Sequence, residues 1–477
     1  TLSGRKETFK SIEPGKARMY TCGPTVYDYA HIGNLSAYIY ADTLRRHLEY
    51  SGYEVRQIVN ITDVGHLTAD DLNQADSGQD KMLKASLREK KTPEEIARYY
   101  TKCFFADVKK LNIEKAHYYP RATAHIPQMI KMMEALFEKG LAYEKNGNVF
   151  YDVTKFKEYG KLSKKKIDEL RCGARLDDHP DKKHSYDFAL WLKAPKKHLL
   201  KWKSPWSFGY PGWHIECSAM AIEYLGETLD IHSGGEDHIF PHHENEIAQS
   251  EGVTGKPFSN LWFHNRFLLV NGKKMSKSEN NFYTLKDITD KKYDPMVFRL
   301  LVLGSHYRSN LNFTWKRMDE ARKNYEKITR FIKKLTEISS LSLSTEGGKN
   351  VDLTRFLQEF EDAMNNDLNT PLALSVFYDL ISKMNKNIID QKLAPEKARE
   401  ILAILEKMNK VFGMKIELKT RSIPKVIFDL LKKREQARSK KKYKEADKIR
   451  LEIENKGFIV EDTPDGQKVR IKELLPS

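Results

Sequence analysis

The stretch from Ala17 to Ile61 reads as strand, loop, helix and strand, and this order leaves a chain few folds to adopt. Ala17 to Thr21 (ARMYT) suits a strand, and the loop CGPTVYDYAH that follows carries Gly23 and Pro24. Leu35, Tyr38, Ile39, Leu44 and Leu48 then recur near helical spacing from about Gly33 to Ser51, and Gly52 stops the run. Glu54 to Ile61 (EVRQIVNI) is a second strand. Together they predict a βαβ unit, hence an α/β domain with a parallel sheet. Signals of the same kind resume at GWHIECSAMAIEYLG (Gly212 to Gly226), TLDIHSGG (Thr228 to Gly235) and the helix-like PHHENEIAQS (Pro241 to Ser250). Between them, from about 117 to 205, the pattern is basic, mixed and punctuated by Pro120, Pro180, Pro195 and Pro205. The expectation is one doubly wound sheet split by an insertion.

Beyond Asp294 the chain looks almost wholly helical to about Gly413, with amphipathic stretches around Trp315–Ile338 and Phe356–Asn387 and a linker from Leu341 to Asn350. A last segment carries basic helices and then GFIVEDTPDGQKVRI, a strand–turn–strand signal. The length of 477 residues fits about three domains, and there is no internal repeat. No run approaches the roughly eighteen apolar residues of a membrane span, and no charged segment followed by an apolar stretch marks a signal peptide. Cys22, Cys103, Cys172 and Cys217 are far apart and form no CxxC pair. They exclude a disulfide scaffold and point to a reducing cytoplasm.

Lys and Arg number 82 against 66 Asp and Glu, a net charge of +16. Lys425 to Arg450 holds eleven basic and four acidic residues, and Lys161 to Lys203 holds thirteen and six, so each block carries +7. One such block is equally a solvated helix face. Two distant ones favour an extended anionic partner, with RNA, DNA and an acidic membrane all open.

Three constellations carry chemistry. HIGN, His31 to Asn34, lies between a strand and a helix, where free backbone N–H groups and the positive helix end can meet a phosphate. Alone it is also an ordinary helix start with a polar first turn. GKKMSKSENN, Gly272 to Asn281, sets Lys274 and Lys277 three apart on a loop rich in Gly, Ser and Asn, which suits a polyphosphate or a plain solvated turn. No GxxxxGK[ST] occurs, so a P-loop is not supported. His242 and Glu246 are i and i+4 on an expected helix, while Cys22 and Cys217 each sit near a strand end or helix start. All four are acceptable zinc ligands. Each cysteine alone is as readily a small buried hydrophobe, and His242 could cap the helix.

Taken together and in this order, HIGN and KMSKS resemble the ATP-binding motifs of class I aminoacyl-tRNA synthetases. CGPTVYDYAHIGN, DFALW (Asp187 to Trp191), PGWHIECSAM, DIHSGGEDHIFPHHENEIAQSE, GKKMSKSENN and AMNNDLNTP (Ala363 to Pro371) narrow the resemblance to the cysteinyl-tRNA synthetases. It covers nearly the whole chain from about Met19. The fold it implies is a Rossmann-like doubly wound parallel sheet split by a connective insertion, followed by helical stem-contact and bundle domains and a small C-terminal anticodon-binding domain. The expected segments are 1–116 and 206–265 for the catalytic sheet, and 117–205 for the insertion near the tRNA acceptor end. Residues 266–340 would be the KMSKS loop and stem-contact region, 341–415 the helical bundle, and 416–477 the basic anticodon-binding domain.

The resemblance also implies the reaction. Cysteine would attack the α-phosphate of ATP, with Mg2+ expected, and the cysteinyl group would pass to the 3′-terminal ribose of the cysteine tRNA. His31, Gly33, Asn34 and Lys277, with Lys274 behind it, would bind ATP and stabilise its charge. One zinc ion held by Cys22, Cys217, His242 and Glu246 would select the substrate thiolate over the hydroxyl of serine, because the softer ligand suits the metal. Thr62, Trp213, His232 and Asp237 would surround the amino acid, Asp237 pairing with its ammonium group. A cytoplasmic monomer is implied. The two basic blocks would meet opposite ends of one tRNA, positioning it through phosphates.

The chain departs from the family pattern in places. Tyr210 stands where Arg is usual, Val469 where a Trp is common, and NITDVGHLTADD (Asn60 to Asp71) differs after NITD. Three rivals remain. A related ligase that passes cysteine to a small amino-sugar would lack the basic tail, a zinc hydrolase built on HHENE would not need KMSKS, and an RNA-binding module would not use ATP.

Overall fold

Along the strand Glu54–Val59 alternate side chains point to opposite faces, so Ile58 enters one apolar core and Val59 another, and both faces are covered. The computed structural model describes residues 1–64, 81–166, 179–195, 198–276, 279, 281–340, 352–390, 393–416, 424–463 and 466–471. They fall into two compact units, Thr1–Met318 and Asp319–Ser477.

The first unit is built on four parallel strands in the order Glu54–Val59, Lys16–Thr21, Leu229–Gly235, Ser259–Asn265. Strand order reverses beside Lys16–Thr21, and at such a switch point the loops leaving the carboxyl ends diverge and open a crevice. The helix Ile32–Tyr50 makes the expected first crossover, buried through Leu35, Tyr38, Ile39, Leu44 and Leu48. The expected insertion contains the helix Ile126–Glu138 and contributes four strands to a five-stranded antiparallel sheet, whose fifth strand is Phe208–Pro211. Trp191 is among its largest fully buried side chains. Tyr210 lies in this sheet, buried and stacked on His198 at 4.3 Å, which gives this departure from the family pattern a packing role. The region after NITD lies largely outside the described residues.

A buried ion pair ties the helix Ile32–Tyr50 to the helix Pro295–Leu303. Arg299 donates to Asp42 and, at 2.9 Å, to the Leu111 carbonyl, while Arg46 and the Glu114 N–H each meet Asp42 at 2.8 Å. Burial raises the Asp42 carboxyl, but Arg299 and Arg46 outweigh it and hold the group below its usual value. Its contribution to stability is therefore present at neutral pH and lost as pH falls through the lowered pKa. Arg299→Met leaves Asp42 buried with fewer partners and is expected to cost about 3–5 kcal/mol. Urea unfolding midpoints at pH 7 measure this, and Asp42→Asn added to Arg299→Met should recover part of the loss.

The second unit packs the helices Leu353–Asn365, Thr370–Ile389 and Pro395–Phe412 around Phe360, Phe377 and Phe412, with ring centroids 5.4 and 5.6 Å apart. The expected amphipathic stretch around Phe356–Asn387 comprises two helices. Asp367 and Leu368 adopt positive φ, and Asn369 caps the next helix immediately before Thr370 and Pro371. Farther on, the helices Lys425–Ser439 and Tyr443–Asn455 pack on an antiparallel hairpin of Phe458–Thr463 and Gly466–Ile471, as the strand–turn–strand signal predicts. Val469 is buried in that small core, where the family commonly has Trp. Arg434, counted in the basic block, is buried too, and donates to both Asp462 oxygens at 2.9 Å and to Gln467. Among the described residues no helix is long and apolar enough to cross a membrane.

Candidate active site

The carboxyl ends of the parallel strands open into a cleft of about 1040 Å³. Cys22 follows the strand Lys16–Thr21 directly and is held by its N–H on the Ser233 carbonyl at 3.0 Å. Next to it Gly23 is obligatory, since a Cβ there would lie 1.6 Å from the Asn60 carbonyl oxygen. Cys217 comes from the second turn of the helix Trp213–Leu225. His242 sits in the turn Ile239–His243, and Glu246 follows in the helix Glu244–Thr254. The i, i+4 spacing does bring the last two together, with His242 Nε2 3.0 Å from Glu246 Oε1. Donor atoms of Cys22, Cys217, His242 and Glu246 all lie within 4.8 Å of one another, and all four residues are buried.

Charge is concentrated here. Burial would raise the Glu246 carboxyl, but His232 and His242 beside it hold it well below the usual carboxylate range. Burial also opposes a charged His242, yet Glu246 and the hydrogen bond with Cys217 push its pKa up to about 10. A hydrogen bond with Cys22 lowers the Cys217 thiol against burial. A carboxylate, two thiols and an imidazole converging as buried side chains at the cleft floor make a donor set that fits a divalent cation, which would offset the buried negative charge. His214 Nδ1 lies 2.9 Å from His242 Nδ1, so it orients the ring and leaves Nε2 facing Glu246.

A second set, Cys22, His232, His243 and Glu246, shares two members with the first. Three members of the first set, Cys22, Cys217 and His242, line the cleft, whereas of the second set only the shared Cys22 does. Of the four residues expected around the amino acid, Thr62, Trp213 and Asp237 line the cleft. Trp213 packs over His242 at 4.3 Å, and Thr62 donates to Glu216 at 3.0 Å. His232 is fully buried behind them, its Nε2 2.8 Å from Glu246 Oε2. Reasoning from sequence missed the supporting layer of His214, Glu216, His243 and His264. Its one signal was polar residues inside apolar runs.

His31, Gly33 and Asn34 form another wall of the cleft. The expected free N–H groups are fewer than the position suggests. His31 Nδ1 accepts from the Asn34 N–H at 3.1 Å, and the Ile32 N–H donates to the Tyr283 carbonyl at 2.9 Å. Gly33 admits the Met275 methyl, which a Cβ would meet at 3.2 Å, so the HIGN and KMSKS segments touch. Lys274 lines the cleft and is exposed, its ammonium 4.9 Å over the Phe267 ring. The Asn281 amide clamps the loop, accepting from the Ser276 N–H at 2.7 Å and donating to the Lys274 carbonyl at 3.1 Å. Lys277 lies outside the described residues.

Residues 8–323 match the family described as tRNA synthetases class I (C) catalytic domain, 359–417 the DALR domain, and 420–470 the cysteinyl-tRNA ligase anticodon binding domain. The chain is 43% identical to the cysteine–tRNA ligase of Chlorobaculum tepidum, over 98% of this chain and 97% of that one. It is also 43% identical to the one from Caldicellulosiruptor saccharolyticus, over 99% of both. A Mycobacterium tuberculosis methionyl-tRNA synthetase in complex with methionyl-adenylate shares the fold at a TM-score of 0.64, with 13% identity over 84% of this chain and 91% of that one. With a catalytic-domain match across more than half its length and full-length relatives above 40% identity, the chain belongs to the cysteine–tRNA ligases, a family of class I aminoacyl-tRNA synthetases.

Proposed function

We propose that the chain activates L-cysteine with ATP and transfers it to the 3′-terminal ribose of the cysteine tRNA, selecting cysteine at a zinc site. The observation that carries this reading is a single cleft lined by three features: the Cys22–Cys217–His242 floor, the HIGN wall and Lys274. Cys22, Cys217, His242 and Glu246 would hold the zinc, and when bound it supplies a soft Lewis acid that takes a thiolate in preference to a hydroxyl.

The residues of the chain position everything else. Asp237 pairs with the substrate ammonium, Trp213 and Thr62 close the amino-acid pocket, and His232 acts on it through Glu246. An oxygen of the cysteine carboxylate bonds to the α-phosphorus as pyrophosphate leaves. His31 and Asn34 hold the phosphates, while Lys274 and Lys277 offset the charge that shifts onto them. A hydroxyl of the terminal ribose then attacks the acyl carbon and AMP leaves. The segments 1–116 and 206–265 would carry this chemistry, with 117–205 near the acceptor end and 266–340 supplying the KMSKS loop and the stem-contact region. Residues 341–415 would form the bundle and 416–477 contact the anticodon arm. Free thiols at Cys22, Cys103 and Cys217 suit a reducing cytoplasm.

Charging of purified cysteine tRNA with labelled cysteine and with labelled serine tests the reading. Cysteine should be attached and serine, at equal concentration, should not. Equal charging by both would overturn the selection mechanism.

A further inference from the structure

At the rim of the cleft lies an aromatic and basic surface that the proposed chemistry does not use. Tyr29 precedes the helix Ile32–Tyr50 and Tyr99 lies on the helix Pro93–Lys110, exposed by 38% and 42%. Large aromatic rings cost free energy when left in water, so an exposed pair beside a cleft invites an explanation. The two are fixed in place. Their hydroxyls hydrogen bond at 2.8 Å, and each ring packs edge-on against the buried Tyr100 with centroids 5.1 Å apart.

Cations surround them. The Lys91 ammonium stands 4.9 Å over the Tyr99 ring. Lys84 and Arg88, on the helix Lys81–Glu89, line the same cleft as Tyr29. Arg88 is partly neutralised by Asp28 at 3.6 Å and Glu89 at 2.8 Å, and Lys91 lies 3.5 Å from Glu89, while Lys84 is exposed. Preset aromatic rings next to lysines match what unpaired nucleotides need: faces on which bases stack and charges that meet the backbone. A protein partner would use the rings but has no general need of the lysines.

We infer that Tyr29 and Tyr99 form a stacking platform for the unpaired 3′ end of the tRNA, with Lys84 and Lys91 meeting its phosphates. This rests on the reading of the cleft as the site of aminoacylation, since the terminal ribose has to enter that cleft and Tyr29, Lys84 and Arg88 line it. Because the tyrosine pair is held before the RNA arrives, little ordering is left to oppose binding.

The test uses the whole protein, a cysteine tRNA transcript, and the same transcript lacking its last three nucleotides. Tyr99→Ala should raise KM for the full transcript about ten-fold and leave cysteine-dependent ATP–pyrophosphate exchange as in wild type. Tyr99→Phe, which keeps the ring, should behave as wild type. The shortened transcript should bind wild type and Tyr99→Ala equally. An unchanged KM in Tyr29→Ala combined with Tyr99→Ala would overturn the inference. So would an equal fall in exchange, which marks a structural role, or an equal loss on the shortened transcript, which marks another part of the RNA. Loss in Tyr99→Phe matching Tyr99→Ala would assign the effect to the hydroxyl and overturn stacking. A wild type that performs exchange but charges no tRNA would fail the functional reading itself, and the inference with it.

Discussion

Cys217→Ser should lose the bound metal and at least about 100-fold in cysteine-dependent ATP–pyrophosphate exchange. The substitution is nearly isosteric, so the helix Trp213–Leu225 and its packing should survive. The chemistry changes. A thiol whose pKa is lowered by its neighbour Cys22 is a ready metal ligand, whereas a serine hydroxyl stays protonated and is hard. With one ligand gone, the His242–Glu246 pair at 3.0 Å remains as a buried ion pair that neither needs nor holds a metal tightly. Metal content by mass spectrometry and thermal unfolding, run beside exchange, separate loss of the site from loss of the fold. Full exchange by a metal-free, folded variant would remove the zinc hypothesis.

Lys277→Ala and Lys274→Ala should each slow adenylate formation, the first by about 10²–10³-fold, as expected when one preorganised charge is withdrawn from a transition state. The effect should fall on the rate of the chemical step more than on cysteine affinity, because the negative charge these ammonium groups meet grows only as pyrophosphate departs. Lys274 already reaches the cleft, and the Asn281 clamp at 2.7 and 3.1 Å sets the course of the loop from Lys274 to Ser276. Single-turnover adenylation in a quench-flow instrument gives the rate, and tRNA binding serves as the control that should not move. Adenylation at the wild-type rate in Lys277→Ala would contradict the assignment.

How legible each part was depended on the range of the interactions behind it. The helix Ile32–Tyr50 follows from apolar spacing and a local cap, and the parallel strands on either side follow from apolar runs of the right length. The hairpin Phe458–Thr463 with Gly466–Ile471 follows from a turn flanked by β-favouring residues. The break at Asp367 and Leu368 was harder, because the flanking stretches share one amphipathic rhythm and the Asn369 cap with Pro371 is a signal only a few residues long. Charge counting misled in one place. Arg434 belongs to the basic block by sequence but is consumed by Asp462 and Gln467.

Residue types and their order were enough to identify the family and the parallel-sheet fold, and to single out four candidate donors. Motifs are local chemistry, and the spacing of His242 and Glu246 is a property of a single helical turn. Cys22 and Cys217 are different. They are 195 positions apart by number, and they meet only because the strand Lys16–Thr21 lies next to Leu229–Gly235 at the reversal of strand order. That same packing turns Cys217 and His242 to the cleft and leaves His232 and His243 in the interior. It also spent the Ile32 N–H on the Tyr283 carbonyl, and it set Tyr29 beside Tyr99 at the rim. Each of these depends on contacts between residues distant in sequence, and no periodicity or motif encodes which distant partner will arrive.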